Sequence, residues 1–185
     1  MRPIDLLLIG GGHANVAVLA DWARRGVPGG LGAALVTPRA FLTYSGMVPG
    51  WIAGDYVLEE TRVDLATLAA RAGVELVLGR CAALDPERRI CTLESGERIA
   101  FRHAAIDCGG VGQGARVLGE DPRVVDVRPM DEFTERLARW RAENRAGARR
   151  IAVVGGGAGG VELAFALRNM AGRAGPCEVM LIAGE

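Results

Sequence analysis

The sequence predicts an α/β chain in which one strand–glycine turn–helix–strand unit occurs twice. Three observations carry that prediction. The apolar run Ile4–Ile9 stops at Gly10, Gly11 and Gly12, and a second apolar run, residues 151–154, stops at Gly155, Gly156 and Gly157. Apolar residues at helical spacing follow each glycine cluster. Between the two copies lies a stretch of β texture punctuated by turn residues.

The elements follow in order. Ile4–Ile9 is continuously apolar, as a parallel strand buried on both faces should be. Residues 14–25 place Val16, Leu19, Ala20 and Ala23 on one helical face, with Arg24 and Arg25 in the last turn and Gly26 as the stop. Residues 31–36 form the next strand. Residues 37–56 read as a long loop that mixes Pro38, Gly46, Pro49, Gly50 and Gly54 with Phe41, Leu42, Tyr44, Met47 and Trp51. So much apolar mass in a loop packs either on a ligand or on the core. Residues 63–71 predict a helix with Asp64 near its start. Strands are expected at 75–78, 82–85, 90–93, 98–101 and 104–106, with a hairpin turn at Glu94, Ser95, Gly96 and Glu97. This is a meander inserted into the α/β unit. Residues 109–119 read as a glycine-rich connector. Asp131 is the expected N-cap of a helix carrying Phe133, Leu137 and Trp140 on one face, with Arg145, Arg149 and Arg150 near its end. Strand 151–154, helix 161–170 and strand 179–182 complete the repeat.

Composition excludes several functions. The 22 basic residues are all arginine, and 22 acidic residues balance them. Without lysine there is neither a lysine-bearing phosphate loop nor a Schiff-base enzyme. Zero net charge gives no reason to expect nucleic acid as a partner. Cys81, Cys91, Cys108 and Cys177 form no C-x-x-C pair, and only His13 and His103 could join them, so no metal site is expected. Reduced thiols suit a cytoplasmic protein. The N-terminal apolar run is far too short to span a membrane and reads as a strand rather than a signal peptide.

The glycine clusters are the most specific signal. Gly155, Gly157 and Gly160 satisfy G-x-G-x-x-G between a readable strand and a readable helix. In that motif the first glycine permits the tight turn, the second admits a pyrophosphate to the backbone, and the third lets helix and strand pack closely. The phosphates sit at the positive helix N-terminus, beside Ala158 and Gly159. The first cluster keeps Gly10 and Gly12 but has Asn15 at the third position. Asn15 either widens the helix–strand contact slightly or offers its amide to a phosphate. The acidic ribose ligand usual further on is replaced by Thr37, Pro38 and Arg39. Glu162, in the first turn of the second helix, is either a carboxylate favoured by the helix dipole or a catalytic group near a nicotinamide or flavin ring. His13 is either a loop histidine or a neighbour of the pyrophosphate or flavin.

Two tandem fingerprints separated by a β-meander resemble the two-dinucleotide-binding flavoproteins of the pyridine nucleotide–disulfide oxidoreductase family. The run Gly155 to Ala164 is similar to the type II NADH dehydrogenase version. Residues 44–54, with Gly10, Gly11, Gly12, His13 and Ala14, resemble the subgroup associated with selenide, water dikinase. The resemblance implies a Rossmann-like FAD/NAD(P)-binding fold with an inserted antiparallel β-meander, in a three-layer ββα arrangement. Gly10, Gly12, His13 and Ala14 would line the FAD pyrophosphate, with Asn15 beside them. Thr37, Pro38 and Arg39 would lie near the adenosine ribose. Gly46 and Met47 would approach the isoalloxazine, Cys81 and Ala82 would pass the adenine, and Cys108 and Gly109 the flavin side. Asp107, Cys108, Gly109 and Gly110 stand where the family has its A-T-G-like flavin contact, with Cys108 in place of Thr. Gly155, Gly157, Ala158, Gly159, Gly160 and Glu162 would hold NAD(P)H. Glu185 is a candidate acceptor for the 2′-hydroxyl of NADH, with Ala183 at the more usual position. The disulfide-reductase cysteine pair of the family is absent.

The implied activity is hydride transfer from NAD(P)H to FAD and on to a small-molecule acceptor such as a quinone. The alternatives are a flavin reductase serving selenium or sulfur metabolism, and a nucleotide-binding fragment without turnover. Residues 1–115 are expected to be the N-terminal part of the FAD-binding domain and 116–185 the start of the NAD(P)-binding domain. The family's remaining flavin-domain segment and acceptor site would follow Glu185, so the chain is expected to be the first half of an enzyme. Peripheral contact with the inner face of the membrane would belong to that parent. Uncovered strand edges would favour dimers.

Overall fold

A computed structural model describes residues 4–143, 149–174 and 177–184. The expected roles of Arg145 and Glu185 lie outside the described residues. The chain divides into two compact units, residues 1–42 with 63–110, and residues 43–62 with 111–185.

The first unit begins with β1 (Ile4–Ile9), α1 (His13–Arg25) and β2 (Ala33–Thr37). The chain passes to the second unit through β3 (Phe41–Thr43), forms α2 (Val48–Ala53) there, and returns through β4 (Arg62–Asp64). Next come α3 (Leu65–Ala72), β5 (Glu75–Leu78), β6 (Cys81–Asp85), β7 (Ile90–Leu93) and β8 (Arg98–Ile106). β1 is flanked by parallel partners, β2 on one side and β8 on the other, and β5 extends the sheet beyond β2. The first part of β8 pairs antiparallel with β7, and β7 with β6. β8 is a single strand of 9 residues where the sequence suggests two. Exposed Arg102 and His103 interrupt its apolar pattern, but backbone pairing with β1 continues through them.

The alternation of side chains along β1 and β2 produces the three layers. Leu8 and Leu35 face the helices, packing with Leu19, Trp22, Leu65 and Ala69. Leu7, Ile9, Ala34 and Val36 face the other way, onto Cys91, Leu93, Ile99 and Phe101 of the meander. Both faces of these strands are covered, which is why they read as unbroken apolar runs. Leu7, Leu8, Leu19, Leu35 and Leu65 are fully buried, each contributing about 2 kcal/mol by leaving water. Asp64 caps α3 by accepting the Thr67 N–H at 2.9 Å. That bond holds its carboxyl below the usual carboxylate range.

The second unit adds α4 (Gly114–Leu118), α5 (Met130–Glu143), β9 (Arg149–Val154), α6 (Ala158–Ala174) and β10 (Cys177–Ile182). β9 and β10 pair in parallel, so the unit β1–α1–β2 recurs as β9–α6–β10. Its core joins Val48, Trp51 and Ile52 of α2 to Phe133 of α5 and to Leu163, Ala166, Leu167 and Met170 of α6. Within the expected loop, Trp51 thus packs on protein together with Val48 and Ile52, and residues 43–62 fall in the second unit. Asp131 lies inside α5 rather than capping it. Its carboxylate accepts the hydroxyl and, at 3.3 Å, the N–H of buried Thr43. Part of the expected connector 109–119 is helical, in α4. No helix among the described residues is long and apolar enough to cross a membrane.

Candidate nucleotide-binding sites

Each unit carries one glycine turn, between a parallel strand and the helix that follows. In the first unit Gly10 leaves β1 with φ +92°. Its N–H donates to the Val36 carbonyl at 2.8 Å. A Cβ there would stand 2.2 Å from the Asp107 carbonyl oxygen, so glycine is required twice over. The Asp107 N–H donates to the Ile9 carbonyl at 2.7 Å, and the Asp107 carbonyl accepts the Gly12 N–H at 3.1 Å. The turn after β1 is therefore held by the chain leaving β8.

The Asn15 side chain lies on the turn itself. It is buried, and its amide donates to the Gly10 carbonyl at 2.7 Å and the Ile9 carbonyl at 3.4 Å. The amide is spent on turn carbonyls that a third glycine would leave to other partners. Asn15→Ala is expected to cost about 1–3 kcal/mol, the loss typical of a buried group left unsatisfied. Urea denaturation of the apoprotein measures this, and an unchanged midpoint would show that the amide does not support the turn.

The other expected flavin contacts divide between the units. His13 and Ala14 open α1 and are exposed. Thr37 is buried and donates its hydroxyl to the Arg39 carbonyl at 3.2 Å, while Pro38 is exposed. The Arg39 guanidinium stands 5.7 Å from the Phe41 ring centroid, a cation–π contact. Ala82 and Gly109 are exposed, and the Cys108 thiol donates to the Ile9 carbonyl at 3.5 Å. Gly46, exposed, and Met47, half-buried, form a short helical turn that belongs to the second unit.

Cys81 is half-buried, and its sulfur lies 3.4 Å from that of Cys91, which donates to it. Burial, with the Cys81 thiol adding to the effect, pushes the Cys91 thiol from 9.0 up to about 12. The folded state thus holds this proton more tightly than the unfolded chain. The resulting stability is whole below about pH 9 and is lost as pH rises toward about 12. Native protein at neutral pH is accordingly expected to leave Cys91 unalkylated by iodoacetamide, with modification appearing on alkaline unfolding. Mass spectrometry of the labelled peptides reads the result, and rapid neutral labelling of Cys91 would contradict this placement.

In the second unit Gly155 has φ +126° and donates its N–H to the Ile182 carbonyl at 2.8 Å. A Cβ on Gly160 would lie 1.9 Å from the Gly155 carbonyl oxygen, the close helix–turn packing of the motif's third glycine. Cβ atoms on Gly157 and Gly159 would meet nothing within 4 Å. The backbone here is open to a ligand, at the start of α6. Because α6 starts at Ala158, Glu162 lies past its first turn and is exposed, which corrects its expected first-turn position.

The sequence reading passed over the carboxylate of Asp107. It accepts the N–H of Ala14 at 2.8 Å and of Asn15 at 3.3 Å. A helix with no acid in its first turn and no side-chain cap of its own was the available signal.

The donor sets suit phosphate: a carboxylate already sits on the amides that open α1, and open backbone begins α6. Fold and sites together define a tandem dinucleotide-binding chain with a covering meander. Residues 4–185 match the family described as pyridine nucleotide-disulphide oxidoreductase, and the chain belongs to it. That family consists of FAD- and NAD(P)H-dependent oxidoreductases. Among solved structures, the NAD-dependent persulfide reductase from A. fulgidus is 19% identical with a TM-score of 0.74, over 97% of this chain and 33% of that one. The sulfide:quinone oxidoreductase from Aquifex aeolicus is 19% identical with a TM-score of 0.69, over 97% and 43%. The NADH:rubredoxin oxidoreductase from Clostridium acetobutylicum is 18% identical with a TM-score of 0.65, over 97% and 45%. The chain thus spans less than half the length of these structures, and at such identities the likeness is one of fold. No curated protein matches the sequence.

Proposed function

We propose that the chain provides the FAD seat and the NAD(P)H seat of an NADH dehydrogenase-like flavin oxidoreductase, which passes electrons to an acceptor such as a quinone. The observation that carries this reading is the glycine turn built twice, once in each compact unit, within one family match. FAD and NAD(P)H would supply the hydride chemistry themselves. The residues of this chain bind and orient. Gly10 and Gly12 let β1 turn sharply into α1, whose first amides receive a diphosphate. Gly160 draws α6 against the second turn, and Gly157 and Gly159 keep its backbone open. Gly46, Met47 and Glu162 are assigned to the neighbourhood of the reacting rings. Residues 44–54 favour a second reading for the acceptor, one in selenium or sulfur chemistry.

The test loads the purified chain with FAD and adds NADH without oxygen. Bleaching of the flavin absorption, reversed by a soluble quinone, is expected. Flavin that binds but stays oxidised would reduce the chain to a nucleotide-binding role. Re-oxidation by a persulfide and not by a quinone would favour the second reading.

A further inference from the structure

Besides Asn15 in place of a third glycine, the two glycine turns differ in what faces the second glycine. At the second, Cβ atoms on Gly157 and Gly159 would project into open space. At the first, a Cβ on Gly12 would meet the Asp107 carboxyl carbon and both its oxygens at 2.2–2.3 Å. The carboxylate is pressed against the glycine that the motif leaves bare for a pyrophosphate. It arrives from the end of the neighbouring strand β8, 93 residues away from Ala14 in sequence. α1 has no acidic residue in its first turn and no side-chain cap, so Asp107 supplies the negative charge that the helix dipole favours there.

Resting on the flavin reading above, we propose that Asp107 is an intramolecular stand-in for the flavin diphosphate: it caps α1 in the apoprotein and must vacate that seat when FAD binds. The Ala14 and Asn15 amides are the donors in question, and the Asp107 carboxylate holds both. A diphosphate cannot take those bonds while a carboxylate keeps them, and two anions a few ångströms apart repel. Asp107 is only half-buried, so its side chain has solvent to turn toward. Its backbone N–H and carbonyl, bonded to Ile9 and Gly12, stay in place as it does so. The flavin seat is self-closed and selective against weak anions, whereas the NAD(P)H seat stands open.

The test uses Asp107→Asn and Asp107→Ala in the full chain. FAD and ADP affinities are measured by calorimetry, with the thermal midpoint of the apoprotein read alongside. Asp107→Ala is expected to lower the apo midpoint and to tighten FAD and ADP by about tenfold or more. Asp107→Asn, close in shape but uncharged, is expected to tighten both ligands with a smaller loss of stability. A residue with a merely structural role would lower stability and affinity together. NADH affinity at the second turn, unchanged in both variants, reports an intact fold. Wild type that binds FAD as tightly as the variants would overturn the role of Asp107 and leave the flavin reading standing. Failure of all three proteins to bind either FAD or ADP would overturn both.

Discussion

Replacing Gly10 with alanine is expected to remove a large share of the stability of the first unit. Two penalties coincide at this position. The φ of +92° lies where a side chain is strained, and the new Cβ would overlap the Asp107 carbonyl oxygen at 2.2 Å, its carbon at 2.6 Å and the Cys108 Cα at 2.7 Å. All three are backbone atoms at the end of β8, pinned by the Asp107 N–H bond to Ile9. Neither side can yield without opening the β1–β8 ladder. Strain of about 1–2 kcal/mol and overpacking of about 1–3 kcal/mol give about 2–5 kcal/mol together. That is a large share of an ordinary domain's stability. Gly73→Ala is the control, because Gly73 has φ +70° with nothing within 4 Å of its added Cβ. It should show only the conformational strain. Denaturant midpoints decide the matter, and a Gly10→Ala loss no larger than the control's would contradict the packing described here.

Gly160→Ala is expected to act mainly on ligand binding. The added Cβ would sit 1.9 Å from the Gly155 carbonyl oxygen. Its obstacle is the backbone of one exposed glycine turn, so the turn itself must shift, at a cost to stability as well. Reorientation swings the Gly155 carbonyl and tilts the start of α6, so the amides no longer converge on one phosphate. NADH affinity should fall by about 100-fold. Gly157→Ala provides a contrast. Its Cβ meets no protein atom within 4 Å, so it should leave the apoprotein as stable as wild type while filling the space proposed for the phosphates. Calorimetric titration of both variants with NADH separates these effects. Undiminished affinity in Gly160→Ala would contradict the third-glycine role.

Much of this was legible in the sequence, and the failures have physical causes. β1, β2 and α1 were readable because their apolar faces are buried locally and glycines mark where they end. β8 looks like two strands in the sequence because Arg102 and His103 face solvent, although backbone pairing carries the strand through them. α2 was hidden by Pro49 and Gly50, which usually signal a turn. Here Pro49 sits at the helix start, where its missing N–H costs nothing, and buried Trp51 and Ile52 anchor the helix on α6. At the site, the glycine spacing revealed both turns. The work of Asn15 and Asp107 was not visible, because each side chain bonds to backbone that only the folded chain brings near. Asn15 looked like a lost glycine and proves to be a turn brace. Asp107 looked like part of a flavin-side loop and proves to cap α1.

On the proposed function, the chain holds two separate dinucleotide seats, one for FAD in the first unit and one for NAD(P)H in the second. The most direct test of this reading is a calorimetric titration of the FAD-saturated chain with NADH. NADH is expected to bind at one further site without displacing FAD, and Gly160→Ala to weaken this binding about 100-fold while flavin remains bound. Displacement of FAD by NADH at a single shared site would contradict it.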